Sequence, residues 1–422
     1  MADFKTLFAI GFATIFVLLD GSACQLAAVY FPLVATALEL HPAWIGFLLS
    51  SIALTQVFVS IIAPCAFSKK NSFFWMISGA VCYGIALSWF GLQIFISNHA
   101  LFVIANFILR LTIGASSTIF NICIFKVMLN SSPELTHFAH SLFVTAYIFG
   151  TLLSGVVGWV LYRLGGYLSV FTVIGITELL LTFFIFVLCP RRNEKTEDDI
   201  EEPTKSTGIS EAIRFLMNID TFIIVNIYTA ALVALGILDP ILSIYLVKCD
   251  IDQEYLGLVF SLRSLGYLFA LPLKKALETR GFGAHFFLLS LLITMLSNLM
   301  VITNIFYNVQ LSTFTLCAIG MFLLGAGHAA ATTNFFLVCK RLSENRNLNQ
   351  NAKLYLFVPI LSNTLNGVGR IIGSTLIGGF IYSFAGFQDV VFYSSIGFLI
   401  YFIISCIAMY REQMITNKTF ID

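Results

Sequence analysis

Hydrophobic residues run along this chain in blocks too long for a soluble core. Twelve apolar stretches stand out, at about residues 7–31, 43–67, 72–96, 100–126, 141–163, 167–189, 221–247, 255–275, 284–305, 309–338, 354–383 and 389–410. Each has about the 20–25 residues a helix needs to cross the hydrocarbon core. Helices are the expected form, because a segment in lipid must bond its own backbone groups. The start, MADFKTLFAIGF, lacks a small-residue cleavage site and runs into a full-length span, so it reads as a first transmembrane helix rather than a signal peptide. Composition agrees: 59% of residues are hydrophobic and 11% charged, against about 25% charged in soluble domains.

The polar connections alternate in charge. Of the 23 Lys and Arg, three (Arg110, Arg263 and Arg370) fall inside spans, and two (Arg163 and Lys248) fall in segments on the side away from the N-terminus. The remainder lie on the N-terminal side, which predicts both termini in the cytosol. The sequons at Asn130 and Asn417 then face the cytosol and carry no glycan. The longest polar stretch, PRRNEKTEDDIEEPTKSTGIS, divides the chain into 1–190, a cytosolic linker over 191–212, and 213–422. The halves resemble each other at an offset near 220, with Gly158 on Gly378, Tyr162 on Tyr382 and Gly166 on Gly386. Asp20 answers Asp239, and Lys69-Lys70 answers Lys274-Lys275. The fold expected is an all-α membrane protein, twelve transmembrane helices in two pseudo-symmetric six-helix bundles.

Six charged side chains sit near mid-depth of six spans: Asp20, Arg110, Glu178, Asp239, Arg263 and Arg370, with His328 as a further ionisable group. Each ion costs about 2.5–3.5 kcal/mol at the bilayer centre on insertion scales, so it must face water or another charge. Asp20, in FVLLDGSACQLAAVYFP, has small residues on its face; it reads as a counter-ion for a cationic substrate or a proton site, or else as half of an ion pair with an arginine. Asp239 precedes Pro240, which frees a carbonyl and can kink the helix, and Tyr245 follows. This segment is a second cavity acid or gate, or a helix-end acid. Arg110 either tunes a neighbouring acid or pairs with Glu178. Glu178 sits on a Leu/Phe-rich helix and is either paired or protonated. His328, among Gly and Ala, suits proton coupling or is a satisfied buried histidine. Arg263 and Arg370 are the candidates for an anion site, or for ion pairs with the three acids.

Glycines read first as packing devices. Gly369 and Gly373 form a GxxxG pair, with Gly378 following, and Gly114, Gly150 and Gly158 open other helix faces. No phosphate loop, no Cys/His spacing for a metal, and no nucleophile set is present, so neither cofactor, metal nor enzyme activity is expected. No basic block suggests nucleic acid.

The twelve spans, central loop and parallel halves resemble the major facilitator superfamily. Arg110-Leu-Thr-Ile-Gly114 resembles its fourth-helix RxxxG motif. Gly150-Thr-Leu-Leu-Ser154-Gly155 with Gly158 resembles the fifth-helix antiporter motif, with Ser154-Gly155 at its usual Gly-Pro step, and the loop motif after span two is reduced to Ser68-Lys69-Lys70-Asn71. LLDGSACQLAAVYFP, GILDPILSIYL and GSTLIGGFIYSFAGF resemble the vesicular amine transporter branch, including its polyamine-transporting members. That resemblance implies amine recognition at Asp20 and a further cavity acid at Asp239. The chain departs from the branch at His328 and Thr364, where monoamine carriers have Asp.

The expectation is a proton-coupled secondary transporter in a lipid bilayer, a monomer that exchanges a small organic cation for protons. The membrane, vesicular or plasma, is left open. The alternatives are an organic anion or neutral metabolite carrier built on Arg110, Arg263 and Arg370, and a non-transporting sensor or scaffold; a sensor should carry a long cytosolic domain, and the tails here are short.

Overall fold

The computed structural model describes residues 4–66, 72–129, 133–188, 217–302, 313–345 and 351–418, with helices throughout and no strand among them. The linker 191–212, the Ser68–Asn71 loop and the sequon at Asn130 lie outside the described residues.

The N-terminal half holds α1 (Phe4–Ala37), α2 (Pro42–Ala66), α3 (Ser72–Leu92) and α4 (His99–Leu129). One helical run, Pro133–Leu188, follows and breaks at Gly165 and Gly166 into α5 (133–164) and α6 (167–188). The C-terminal half holds α7 (Ile219–Lys248), α8 (Leu256–Thr279), α9 (Gly283–Val301) and α10 (Thr313–Asn345). Then come α11 (Asn351–Ile371), which runs on as a π-helical segment Ile372–Ile381, and α12 (Tyr382–Lys418), bent at Gly386. Ten of these runs are long and apolar enough to cross a membrane, and two of the ten are of double length, 46 and 52 residues. The expected twelve spans are therefore present. Several helices overrun the apolar blocks, α1 by several residues at each end. Hydropathy marks what lipid touches, whereas helical hydrogen bonding continues into polar turns.

The two bends carry the internal repeat. Gly166 and Gly386, aligned in sequence, have φ of +62° and +81°. Only glycine enters that region without strain, so the same residue turns the chain at the same place in each half. The repeat extends to packing. Gly158 packs on Leu26 of α1, and its counterpart Gly378 on Ile237 and Pro240 of α7. Gly114 of α4 lies over the Ile52 carbonyl of α2, and Gly325 of α10 over the Arg263 carbonyl of α8. Gly150 sits on the Leu18 carbonyl, and Ser22 donates to the Gly150 carbonyl at 2.8 Å. Gly369 and Gly373 meet α7 at Thr229, Leu232, Val233 and Gly236, and Ser374 donates to the Gly236 carbonyl at 3.0 Å. Lipid tails are as apolar as Leu, so helices in a bilayer associate by such close backbone approach and by polar bonds. Pro240 lies within α7, which runs unbroken past it.

The large apolar residues that remain exposed, such as Trp89, Phe183, Phe184 and Phe269, form the outward face that lipid would cover. The equivalent helices α1 and α7 are the most enclosed, with 67% and 72% of an apolar 18-residue stretch of each buried. These two carry Asp20 and Asp239 at the molecular centre.

Contacts between the halves gather from mid-depth to the side away from the termini. Gly257 of α8 lies against Gly155 of α5, and Gly46 of α2 against Gly379 and Ser374 of α11. Ser50 and Thr375 hydroxyls bond at 2.6 Å. Farther out, Arg163 pairs with Glu254 at 3.1 Å, and Tyr162, stacked on Tyr30, donates to Gln253 Oε1 at 2.6 Å.

Candidate functional site

Where the two halves meet at mid-depth they leave a small polar hollow. α1 contributes Cys24 and Gln25, and α5 Tyr147 and Thr151. From the other half come Asp239 of α7, Arg263 and Tyr267 of α8, His328 of α10 and Arg370 of α11. The hollow measures about 30 Å³, room for one or two waters.

Asp239 and Arg263 form an ion pair, with Nη1 to Oδ1 at 3.0 Å and both side chains 13% exposed. Arg263 also donates from Nη2 to Gln25 Oε1, which ties α8 to α1 across the interface. A second tie joins the Ser264 and Thr151 hydroxyls at 2.7 Å. Arg370 donates from Nη1 to Cys24 Sγ at 3.7 Å, and its Nε is buried without a partner. No carboxylate is bonded to Arg370 among the described residues. His328 packs edge-to-face on Tyr267, with ring centroids 5.4 Å apart. The hollow is thus lined by two guanidinium groups and one carboxylate, and the carboxylate is already engaged.

Asp20 does not line this hollow. It stands one turn from Cys24 on the same face of α1, half-buried, and accepts from Tyr83 OH at 2.7 Å and from Ser117 Oγ at 2.8 Å. No ion pair joins it to an arginine among the described residues; Arg370 acts on it only through space. Glu178 is fully buried, and neither of its oxygens has a hydrogen-bond partner.

Arg110 does not pair with Glu178, contrary to one of the two arrangements the sequence allows. Its guanidinium lies between the rings of Phe31 and Phe90, at 4.5 and 4.7 Å from their centroids. Its Nε donates to Asn106 Oδ1 at 3.1 Å, Asn106 donates to Gln93, and Gln93 to Tyr167. Aromatic faces replace the anion. Tyr245 stacks flat on Phe387 of α12, centroids 3.9 Å apart, and lies outside the hollow.

Sequence reasoning passed over Gln25, Tyr83, Ser117, Tyr147, Thr151 and Tyr267. Neutral polar residues in an apolar helix carry no charge signal; Gln25, one residue after Cys24 on the Asp20 helix, was the most visible of them.

The sequence matches no protein-family model and no curated protein. Solved structures do resemble it along its whole length. A bacterial homolog of the human lysosomal transporter Spinster, in an inward-facing and unoccupied conformation, superposes with a TM-score of 0.71 at 11% identity, covering 99% of each chain. The same homolog in an inward-facing and occupied conformation gives 0.71 at 10% identity, over 98% of each. The nucleoside transporter NupG gives 0.65 at 15% identity, over 98% of this chain and 99% of its own. At these identities the likeness is one of fold alone.

Proposed function

We propose that the protein is a secondary transporter that carries a small organic solute through the central hollow by alternating access. Support comes from the geometry of the interface. Two matched bundles meet through close glycine crossings and polar bonds, and charged groups lie where they meet. A hollow of about 30 Å³ admits no organic solute, so the bundles must part to load it.

The solute class follows from Arg370. This cation borders the hollow with only a thiol as acceptor and with an unpartnered Nε. A buried guanidinium without a bonded anion is poorly satisfied, and a carboxylate or phosphate on the solute would complete it. We therefore favour a small organic anion, or a zwitterion presenting an anionic group, over the amine expected from Asp20. Asp20 already accepts two hydrogen bonds inside its own bundle and stands beyond the edge of the hollow. Gln25, Tyr147, Thr151 and His328 supply neutral polar contacts for the remainder of the solute.

A panel of radiolabelled organic acids, amino acids, nucleosides and polyamines, offered to proteoliposomes at two pH values, tests this. Uptake of acids that saturates, with a half-saturation that Arg370→Gln weakens at least 10-fold, is the expected result; saturable polyamine uptake that is unchanged by Arg370→Gln would restore the amine reading.

A further inference from the structure

A second polar site lies inside the N-terminal bundle, away from the hollow. Four helices each send one group to it: Asp20 from α1, Tyr83 from α3, Ser117 from α4 and Glu178 from α6. Tyr83 and Ser117 spend their hydroxyl protons on the two oxygens of Asp20. Glu178 is brought beside them by the α3–α6 contact. Gly84 faces the Gly175 carbonyl, and the Leu179 side chain packs into the space its missing side chain leaves, so the two helices approach closely. Glu178 precedes Leu179 on this contact, and a charge on it would act through space on Tyr83 and Asp20.

The two acids differ in what satisfies them. Asp20 has two hydroxyl donors, which suit a carboxylate. Glu178 has no exposure and no donor, and the one charge acting on it is the like charge of Asp20. An ionised carboxylate there would have lost its water with nothing in exchange, whereas the neutral acid loses far less. The other groups facing this pair are Cys24 of α1, Tyr83, and Tyr147 of α5, together with Arg370 of α11 acting through space on Asp20. Arg110, on α4, is turned between Phe31 and Phe90.

We propose that Asp20 and Glu178 form a proton-carrying site separate from the solute cavity, with Glu178 holding one proton in the described conformer and Asp20 taking a second when solute binds. The second step rests on the proposed anion site. Arg370 attracts the charge on Asp20 across the interface. A solute anion seated on Arg370 cancels that attraction, and Asp20 then accepts a proton from solvent. One anion and one proton cross together, and no other charge moves. Because the ligand is a proton, sodium cannot replace it.

Infrared difference spectra of the purified protein in liposomes test the first step without any solute. A carbonyl-stretch band of a protonated carboxyl at neutral pH, absent in Glu178→Gln, is expected. Its persistence in Glu178→Gln overturns the assignment. If that variant fails to fold, wild-type protein grown with carbon-13 glutamate serves instead: the band must shift, and an unshifted band overturns the proposal. The second step is read with a pH dye trapped in proteoliposomes. Organic acid from the panel should drive proton entry in wild type, while Asp20→Asn should still bind the acid but lose at least 10-fold of the proton signal. Proton entry unchanged in Asp20→Asn, or uptake driven by sodium instead, overturns it. Failure of every organic acid to bind wild type would sink the solute reading and the second step with it, and would leave the infrared result to decide Glu178 alone.

Discussion

Asp239 and Arg263 lie 3.0 Å apart across α7 and α8, while Asp20, the counterpart of Asp239 in the other half, has no bonded arginine among the described residues. In the first half Gly114 lies over the Ile52 carbonyl, and in the second half Gly325 lies over the carbonyl of Arg263 itself. One half therefore neutralises its acid with a guanidinium, and the other satisfies it with hydroxyls. The asymmetry leaves Arg370 as the cation beside the hollow without a bonded carboxylate.

Breaking the Asp239–Arg263 pair from one side should destabilise the protein more than removing both charges. Removal of one partner from a buried pair costs about 3–5 kcal/mol, and the cost here is at the lower end or below because the hollow admits water. Asp239→Asn and Arg263→Gln should each lower the melting temperature in detergent, and the double variant should recover most of the loss. A double variant as unstable as the sum of the singles would mean that the two charges act independently.

Arg370 should dominate solute affinity. A charge-assisted hydrogen bond contributes about 1.5–3 kcal/mol, so Arg370→Gln should weaken half-saturation for an organic acid by about 10- to 100-fold. Arg370→Lys should fall between, because a lysine keeps the charge and loses the fork. Saturation curves in proteoliposomes measure both.

The Phe31–Arg110–Phe90 stack should matter for stability and not for affinity. Replacing either ring by leucine removes a cation–π face of about 2 kcal/mol and leaves the guanidinium poorly satisfied. Phe31→Leu and Phe90→Leu should lower the melting temperature while solute half-saturation stays within 2-fold. A large affinity change would place Arg110 in the transport path.

The pH dependence has a fixed sign. If a proton enters with each anion, uptake should rise as the loading side is made more acidic and fall as it is made alkaline. Asp20→Asn, which cannot exchange a proton there, should give a flat profile. Initial rates across a pH series with a clamped membrane potential provide the check; an exchanger working against protons would show the opposite slope.

Much of this architecture was legible in the sequence, because lipid imposes a simple rule on span length and because the repeat is written in glycines. Gly166 and Gly386 aligned in sequence and turn the chain alike in space. The ions were equally visible, since charge inside an apolar block is conspicuous. Their pairing was not visible. Whether Asp20 meets an arginine depends on which face of α1 turns toward α3 and α4, and side-chain partners such as Tyr83 and Ser117 are neutral. The orphaned oxygens of Glu178 and the aromatic seat of Arg110 are properties of packing between helices distant in sequence, and no local pattern encodes them.

The most direct measurement joins the two halves where they cross. Gly155 and Gly257 lie in backbone contact between α5 and α8, within reach of a disulfide. In a Gly155→Cys/Gly257→Cys protein whose bridge is verified by mass, alternating access predicts that oxidation stops solute uptake and that reduction restores it. Uptake at the reduced rate with the bridge fully formed would contradict a transport cycle that opens this interface.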